Sequence, residues 1–212
     1  MCAIVGSFNR DKLLELIELN SYRGSHSYSF SVLNPKTGEL EVRVKSLGAF
    51  EPNRTDCQLP DGYYGIAHIQ APTTDAKKIE DIHPAKENAA YLWHNGIIKA
   101  NHVKVLQSRY GIDTNWDTKL LLRAVLTSFN ELNYVDGSYS CLLYDSNRAY
   151  LFRNAISPMF YDKDLNISST KFEGSITTPS DRVLRMDFES KGLYNVAEFK
   201  TVENPYFFGD EI

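Results

Sequence analysis

The chain has 212 residues, with 23 Lys and Arg against 27 Asp and Glu, which gives a formal net charge of -4. A composition that is 42% hydrophobic and 12% aromatic suffices for a buried core and excludes a disordered or fibrous chain. The sequence contains neither a basic run typical of a nucleic-acid surface nor an apolar stretch near the ~20 residues that span a bilayer, so we expect no nucleic-acid or membrane partner.

The N-terminal sequence and the cysteines indicate the cellular location of the protein and the redox state of its thiols. The N-terminal run MCAIVGSFNRDK lacks the features of a signal peptide, so we expect a cytoplasmic protein. Cys2, Cys57 and Cys141 form neither a CxxC pair nor an even disulfide framework, which predicts reduced thiols. No linker or repeat divides residues 1–212, so we expect a single domain. No zinc-like spacing and no phosphate-binding loop is present, so we expect neither a metal nor a cofactor.

The first predicted elements are a strand over residues 2–8 and a helix that Asn9 can cap and that ends near Asn20. The helix is indicated by Leu13, Leu14 and Ile17, which fall on one face. Next comes a predicted hairpin, in which apolar residues alternate with serines on either side of the turn sequence NPKTG. The alternation predicts one buried face for this hairpin.

The later segments predict further strands separated by two more helices. The strands are expected at residues 63–70, 90–94, 139–144, 149–153, 183–188 and 194–199, and the helices at 101–110 and 117–130. This order of strands, helices and strands indicates an α+β layered fold.

Cys2 is a candidate nucleophile because a small second residue favours removal of the initiator methionine. Cys2 would then carry both a thiol and an α-amine, and an amine that titrates near ~7.7–8.0 is a suitable general base for a thiol. The alternative is that Cys2, in the apolar sequence Cys-Ala-Ile-Val, is an ordinary buried packing residue.

Asn95 and Gly96 follow a short apolar segment and are candidates for an oxyanion hole. The side-chain amide of Asn95 and the backbone N–H of Gly96 would supply two hydrogen-bond donors in a small space. The alternative is a simple tight turn, since Asn-Gly is a common turn dipeptide.

Five motifs in order resemble those of the class II glutamine amidotransferases, which are N-terminal-nucleophile enzymes. They are Cys2-Ala3-Ile4-Val5-Gly6, Tyr22-Arg23-Gly24-Ser25-His26-Ser27, Ala67-His68-Ile69-Gln70-Ala71-Pro72-Thr73, His94-Asn95-Gly96-Ile97-Ile98 and Asp117-Thr118. The likeness continues through residues 137–145 and 168–169 and so covers essentially the whole chain. It implies a four-layer αββα sandwich of antiparallel sheets.

The resemblance also implies a reaction and its residues. Cys2 would attack the side-chain amide of glutamine and form a γ-glutamyl thioester, and Asn95 and Gly96 would stabilise the oxyanion. Asp117 would hold the substrate's α-ammonium group, and Asp117 is also a good candidate for a helix N-cap.

The neighbouring motifs imply supporting and substrate-binding residues. Arg23 would support the nucleophile, or alternatively act as a buried salt-bridge partner. Thr73 and Gln70 fall in the substrate-binding motif, and Gln70 stands where the family usually has an arginine for the substrate's α-carboxylate. A neutral amide cannot form that charge-assisted pair, which leaves Lys77, Lys78 or Arg23 as other sources of positive charge.

The function that follows is glutamine hydrolysis that supplies ammonia to a separate synthetase or transferase subunit, because a glutaminase domain would fill a chain of this length. Two alternatives stay open. The chain is a hydrolase of a different γ-glutamyl or acyl amide, as Gln70 suggests, or a catalytically silent binding or regulatory module with the same fold. For the remaining histidines, we expect structural roles for His68 and His94 and surface or loop positions for His83 and His102.

Overall fold

The computed structural model describes residues 2–71 and 79–202. Within them the chain forms thirteen strands and three α-helices. The strands are β1 Ala3–Ser7, β2 Ser27–Asn34, β3 Glu39–Leu47, β4 Tyr64–Gln70, β5 Ala85–Glu87, β6 Ala90–Ile98, β7 Gly137–Asp145, β8 Arg148–Arg153, β9 Phe160–Tyr161, β10 Ile167–Ser168, β11 Ile176–Thr177, β12 Arg182–Asp187 and β13 Gly192–Glu198. The helices are α1 Arg10–Leu19, α2 Ala100–Tyr110 and α3 Asp117–Thr127, and none of these helices in the described ranges could span a membrane.

The strands form two sheets. The first has seven strands in the order β11-β9-β10-β1-β4-β2-β3, and the second has six in the order β13-β12-β8-β7-β6-β5. Every strand pair in both sheets is antiparallel. Hairpins such as β2–β3 and β7–β8 join strands that are neighbours in both the sequence and the sheet, with short connections.

Two layers of helix cover the outer faces of the sheets. Helix α1 packs Leu13, Leu16 and Ile17 against β1, β2 and β4 of the first sheet. Helices α2 and α3 pack against β6, β7 and β8 of the second sheet. The inner faces of the sheets meet in a third apolar cluster, in which Ile4 and Ile66 of one sheet join Trp93 and Leu142 of the other. The predicted αββα arrangement is confirmed.

The start of α1 shows how sequence sets an element boundary. Asn9 is extended, and its side-chain oxygen accepts a hydrogen bond from the N–H of Lys12 at 2.9 Å. This bond satisfies one of the N–H groups that lack a partner at a helix start, so the predicted cap is confirmed.

Two details of the predicted elements were wrong. Every residue of β2 from Ser27 to Leu33 is buried, because the serines face the second sheet while Tyr28, Phe30 and Val32 face α1. Helix α3 ends at Thr127 and is followed by a 3-10 turn over Phe129–Tyr134. Ser128 causes the break, since it is extended and its side chain accepts from the N–H of Asn130.

Candidate active site

A cleft of about 680 Å³ opens where the elements that carry the candidate residues meet. The start of β1, the ends of β4 and β6, and the first turns of α2 and α3 all contribute to its wall. Four residues selected from the sequence line it: Cys2, Gln70, Gly96 and Asp117. These four residues come from four separate elements, so their meeting in one cleft is a product of the fold.

Cys2 lies immediately before β1, and its side chain is 5% exposed. Ile4, two residues along the same strand, belongs to the cluster between the sheets, so strand alternation directs Cys2 toward the same inner space. The other two thiols are buried in other parts of the molecule. Burial raises the pKa of Cys57 to about 11 and raises the pKa of Cys141 well above its usual value. These two thiols are therefore poor nucleophiles near neutral pH.

Asn95 and Gly96 lie within β6, which runs without interruption from Ala90 to Ile98, so the tight-turn alternative is wrong. Asn95 faces the inner space between the sheets, where its Nδ2 is 3.5 Å from the hydroxyl oxygen of Ser140. Gly96 lines the cleft and has a φ of +152°. A Cβ at this position would collide with the backbone oxygen of Ser138, so only glycine fits here.

Asp117 is the first residue of α3, and Trp116 occupies the N-cap position without a capping side-chain bond. One carboxylate oxygen of Asp117 accepts from the N–H of Thr118 at 2.7 Å, and the other accepts from the N–H of Ile98 at 3.1 Å. The helix start also favours a negative charge at this position. The carboxylate is thus held at the cleft wall by two backbone donors.

Gln70 ends β4 and is 1% exposed. Its Oε1 accepts from the hydroxyl of Ser27 at 3.2 Å, which leaves the amide NH₂ as the donor side of this group. Gly24 packs against this strand end so closely that a Cβ would collide with the backbone of Ala71. Gln70 is thereby fixed in the cleft wall.

Arg23 is not among the residues that line the cleft. Its guanidinium donates to the hydroxyl of Thr170 at 2.9 Å and to the backbone oxygen of Ser169 at 3.2 Å. Ser169 in turn accepts a hydrogen bond from the N–H of Ile4 in β1. Among the described residues these acceptors are neutral, so the salt-bridge alternative has no support, and Arg23 braces the strand that follows Cys2. Thr73, Lys77 and Lys78 lie outside the described residues.

Three buried histidines, His68, His83 and His94, form a cluster at the cleft. The sequence predicted structural roles for His68 and His94 but not the burial of His83. The ring of His83 stacks on that of His68 with their centroids 4.0 Å apart, and His68 Nε2 lies 3.1 Å from the backbone oxygen of His94. His83 is 3% exposed, so the predicted surface or loop position is wrong in its exposure. Lys45 fixes the loop that carries His83 by donating to the backbone oxygens of Ile82 and Pro84.

The cleft also contains residues that were not selected as candidate site residues from the sequence. Asp81, Lys104, Trp116 and Thr118 belong to its wall together with His83 and His94. Thr118 directly follows Asp117 in its motif, so this position had a signal in the sequence. Trp116 and Asp81 had none. Within residues 2–71 and 79–202, no three metal-ligating side chains are arranged to hold an ion.

Comparison with solved structures bears on the fold of the chain. The chain superposes on glutamine phosphoribosylpyrophosphate amidotransferase from B. subtilis, complexed with ADP and GMP, with a TM-score of 0.70 at 16% identity over 92% of its length. It superposes on a structure described as the allosteric regulatory enzyme of purine biosynthesis with a TM-score of 0.67 at 15% identity over 92% of its length. The chain has the N-terminal-nucleophile hydrolase fold.

The similarity to these structures is one of fold, and it covers only part of each solved chain. The matched region covers 49% of the first solved chain and 48% of the second, so this chain spans about half of their length. No protein-family model matches the chain, and no curated protein sequence matches it. The cleft lies next to Cys2 and the ends of β4 and β6.

Proposed function

We propose that the protein is a glutamine amidotransferase that releases ammonia from glutamine through a thioester on Cys2. The single observation that supports it most is the convergence of Cys2, Gly96 and Asp117 on one cleft. A thiol, an oxyanion donor and an ammonium-binding carboxylate are the three groups that this reaction needs. The fold shared with the two solved structures is in keeping with this function.

The reaction begins after removal of Met1, when the α-amine of Cys2 takes the thiol proton, directly or through a water. The thiolate attacks the side-chain carbonyl carbon of glutamine, and the carbonyl oxygen becomes an oxyanion that Gly96 N–H and Asn95 Nδ2 stabilise. The tetrahedral intermediate then collapses, the C–N bond breaks, and the departing nitrogen takes the proton back from the α-ammonium as ammonia leaves. Water attacks the thioester by the reverse sequence, which yields glutamate and restores the thiol.

Substrate binding depends on charge within the cleft. Asp117 is held by two backbone N–H groups, so its carboxylate is oriented to accept the substrate's ammonium group. Gln70 offers its amide NH₂ to the substrate's carboxylate, and a neutral amide binds a carboxylate less strongly than a guanidinium does. Lys104 belongs to the same cleft and is a further source of positive charge.

The ammonia acceptor belongs to the proposal as well. We propose that a synthetase or transferase, on a separate chain, receives the ammonia. The proposal is supported by the chemistry of the proposed reaction, because ammonia released at Cys2 needs an enzyme that consumes it. Purification from native extract tests it, since a stable acceptor subunit should co-elute with this chain. Repeated isolation of the chain alone at full synthetic activity would contradict it.

The test of the glutaminase reaction is Cys2→Ala. We expect this variant to lose ammonia release while it retains its secondary structure and unfolding transition, because the change removes one sulfur at the end of a strand. Cys57→Ala is the matched control, since it removes an equally buried thiol away from the cleft and should leave ammonia release unchanged. Ammonia release by Cys2→Ala equal to that of the wild type would contradict the assignment.

A second candidate is a hydrolase of another γ-glutamyl or acyl amide, and the neutral Gln70 in the cleft wall favours it. A screen of amides that differ at the α-carboxylate separates the two. Cleavage of a carboxylate-blocked amide, with glutamine left intact, would establish this alternative.

A further inference from the structure

The two polar groups proposed to bind the substrate's backbone differ in charge. Asp117 is a carboxylate held by the N–H groups of Thr118 and Ile98, and it matches a free ammonium group. Gln70 is neutral and 1% exposed, and its Oε1 accepts from the buried hydroxyl of Ser27, which leaves its NH₂ as a donor. The cleft wall thus offers a charge to the amino group and a neutral donor at Gln70.

A neutral buried donor suits a carbonyl oxygen better than a carboxylate. A carboxylate placed against Gln70 loses water on that side and gains only a bond to a neutral amide in return, which costs free energy. The carbonyl of a peptide bond has no charge, and a single N–H satisfies it. Lys104 also lines the cleft, but it is exposed, so water screens its charge.

The cleft has room and apolar surface beyond what one glutamine needs. Its volume of about 680 Å³ lies within the roughly 300–1,000 Å³ of pockets that enclose drug-sized ligands, and glutamine is much smaller than such a ligand. Ile97, which is 46% exposed, lines the cleft together with the exposed Ala100 and with Val103. The proposed reaction uses none of these three side chains, so they are available to a longer substrate.

We propose that the substrate is a glutamine residue at the N-terminus of a peptide. Its free ammonium group pairs with Asp117, the carbonyl of its peptide bond accepts from the NH₂ of Gln70, and the residue that follows lies against Ile97. The inference rests on the proposed function, because it keeps the reaction at Cys2 and assigns the molecule on which that reaction acts.

The chemistry on such a peptide is the same as on glutamine. The Cys2 thiolate attacks the side-chain carbonyl carbon, the C–N bond of the side-chain amide breaks, and ammonia leaves with the returned proton. Water then cleaves the thioester and frees a peptide that begins with glutamate. No bond of the peptide backbone changes, and no other reactant is consumed.

A series of four substrates tests the inference on the wild-type protein. They are free glutamine, glutaminamide, glutaminyl-leucinamide and N-acetylglutaminyl-leucinamide, and kcat/KM is measured from ammonia release. Peptides with N-terminal glutamine also cyclise without an enzyme and lose ammonia, so the rate with Cys2→Ala protein is subtracted. Mass spectrometry of the product distinguishes N-terminal glutamate from the cyclic product.

We expect kcat/KM for glutaminyl-leucinamide to exceed that for free glutamine about tenfold or more, with glutaminamide between them. The acetylated peptide should not be hydrolysed, because it has no ammonium group for Asp117. Equal or faster hydrolysis of free glutamine would overturn the inference and leave the proposed function standing, and so would hydrolysis of the acetylated peptide at the rate of the free one. Ammonia release from none of the four would contradict both.

Two variants with matched controls test the contacts. Gln70→Arg should shift the preference about tenfold toward free glutamine, whereas Gln58→Arg makes the same change at an exposed glutamine that does not line the cleft. Ile97→Ser should lower kcat/KM for glutaminyl-leucinamide more than for glutaminamide, and Ile156→Ser, at an isoleucine of equal exposure outside the cleft wall, should not. An unchanged preference in Gln70→Arg that folds would overturn the role of Gln70, and the wild-type series decides the substrate even if that variant does not fold.

Discussion

A carboxylate oxygen of Asp117 accepts a hydrogen bond from the backbone N–H of Ile98 at 3.1 Å. This bond ties the first residue of α3 to the end of β6, two residues beyond Gly96 in the cleft wall. The proposed ammonium site and the proposed oxyanion hole are therefore built on one connected unit. Substitutions at these two places are therefore distinguished by kinetics: a change at the ammonium site should alter KM, and a change at the oxyanion hole should alter kcat.

The charge of Asp117 is the first point to test. Asp117→Asn keeps an oxygen that can accept from Ile98 N–H but removes the negative charge, so the KM for glutamine should rise about tenfold or more while kcat changes little. Steady-state ammonia release gives both constants. A fall in kcat at unchanged KM would contradict the ammonium-binding role.

The side-chain amide of Asn95 is proposed to act on the transition state. Asn95→Ala should lower kcat about a hundred- to thousandfold with little change in KM, as loss of one oxyanion donor does elsewhere. Ser140→Ala is the control, since it removes the hydroxyl 3.5 Å from Asn95 Nδ2 and keeps the donor. A pure KM effect of Asn95→Ala would place the amide outside the oxyanion hole.

Gln70 is proposed to face the substrate's carboxylate with a neutral amide. Gln70→Arg should lower the KM for glutamine about tenfold because a guanidinium binds a carboxylate through two charge-assisted bonds. Gln70→Glu, of nearly the same size as the natural residue, should raise the KM by like-charge repulsion. If neither change alters the KM for glutamine, another substrate is indicated. Urea unfolding of both variants shows whether the buried site tolerates them.

Lys45 gives a pH dependence of stability with a defined sign. Burial lowers the pKa of Lys45 from 10.5 to about 8, against an opposing effect of the Asp81 charge. Between these two values the unfolded chain binds more protons than the folded one, so the contribution of Lys45 to the free energy of unfolding rises with pH across this window. Below about pH 8 both states are protonated, and the cost of burying the charge is present in full.

Comparison of wild type with Lys45→Met isolates this contribution. The free energy of unfolding of the wild type, minus that of Lys45→Met, should increase by ~1–2 kcal/mol between about pH 7.5 and about pH 9.5, so the wild type gains stability relative to the variant. Urea denaturation at the two pH values measures it. The raised pKa of Cys57 acts with the opposite sign at higher pH, but it is present in both proteins and cancels. A difference that does not vary with pH would contradict the lowered pKa of Lys45 in the folded chain.

The long elements of the fold could be predicted from sequence because their periodicity is local. Alternation in residues 28–32 and the cap at Asn9 predicted β2 and α1, and the structure has both. The strands β9, β10 and β11 have two residues each, which is too short for any period to be seen. The burial of the β2 serines depends on the second sheet covering them, and no local pattern encodes that contact.

The candidate site also has residues that could be predicted from the sequence and residues that could not. Cys2, Gln70, Gly96 and Asp117 were selected from motifs and line one cleft. His83 had no motif, since its burial results from stacking on His68 and from the bonds of Lys45 to the flanking backbone. These partners are distant in sequence, so the histidine cluster becomes visible only in the folded chain.

Covalent labelling tests the central claim most directly. The protein is incubated near neutral pH with an electrophilic analogue of glutamine, and the intact mass and the labelled peptide are then determined by mass spectrometry. We predict one adduct, on a peptide that begins at Cys2, and protection by glutamine, because the pKa values of Cys57 and Cys141 are raised by burial. A retained Met1, or an adduct on Cys57 or Cys141 in place of Cys2, would contradict the proposed mechanism.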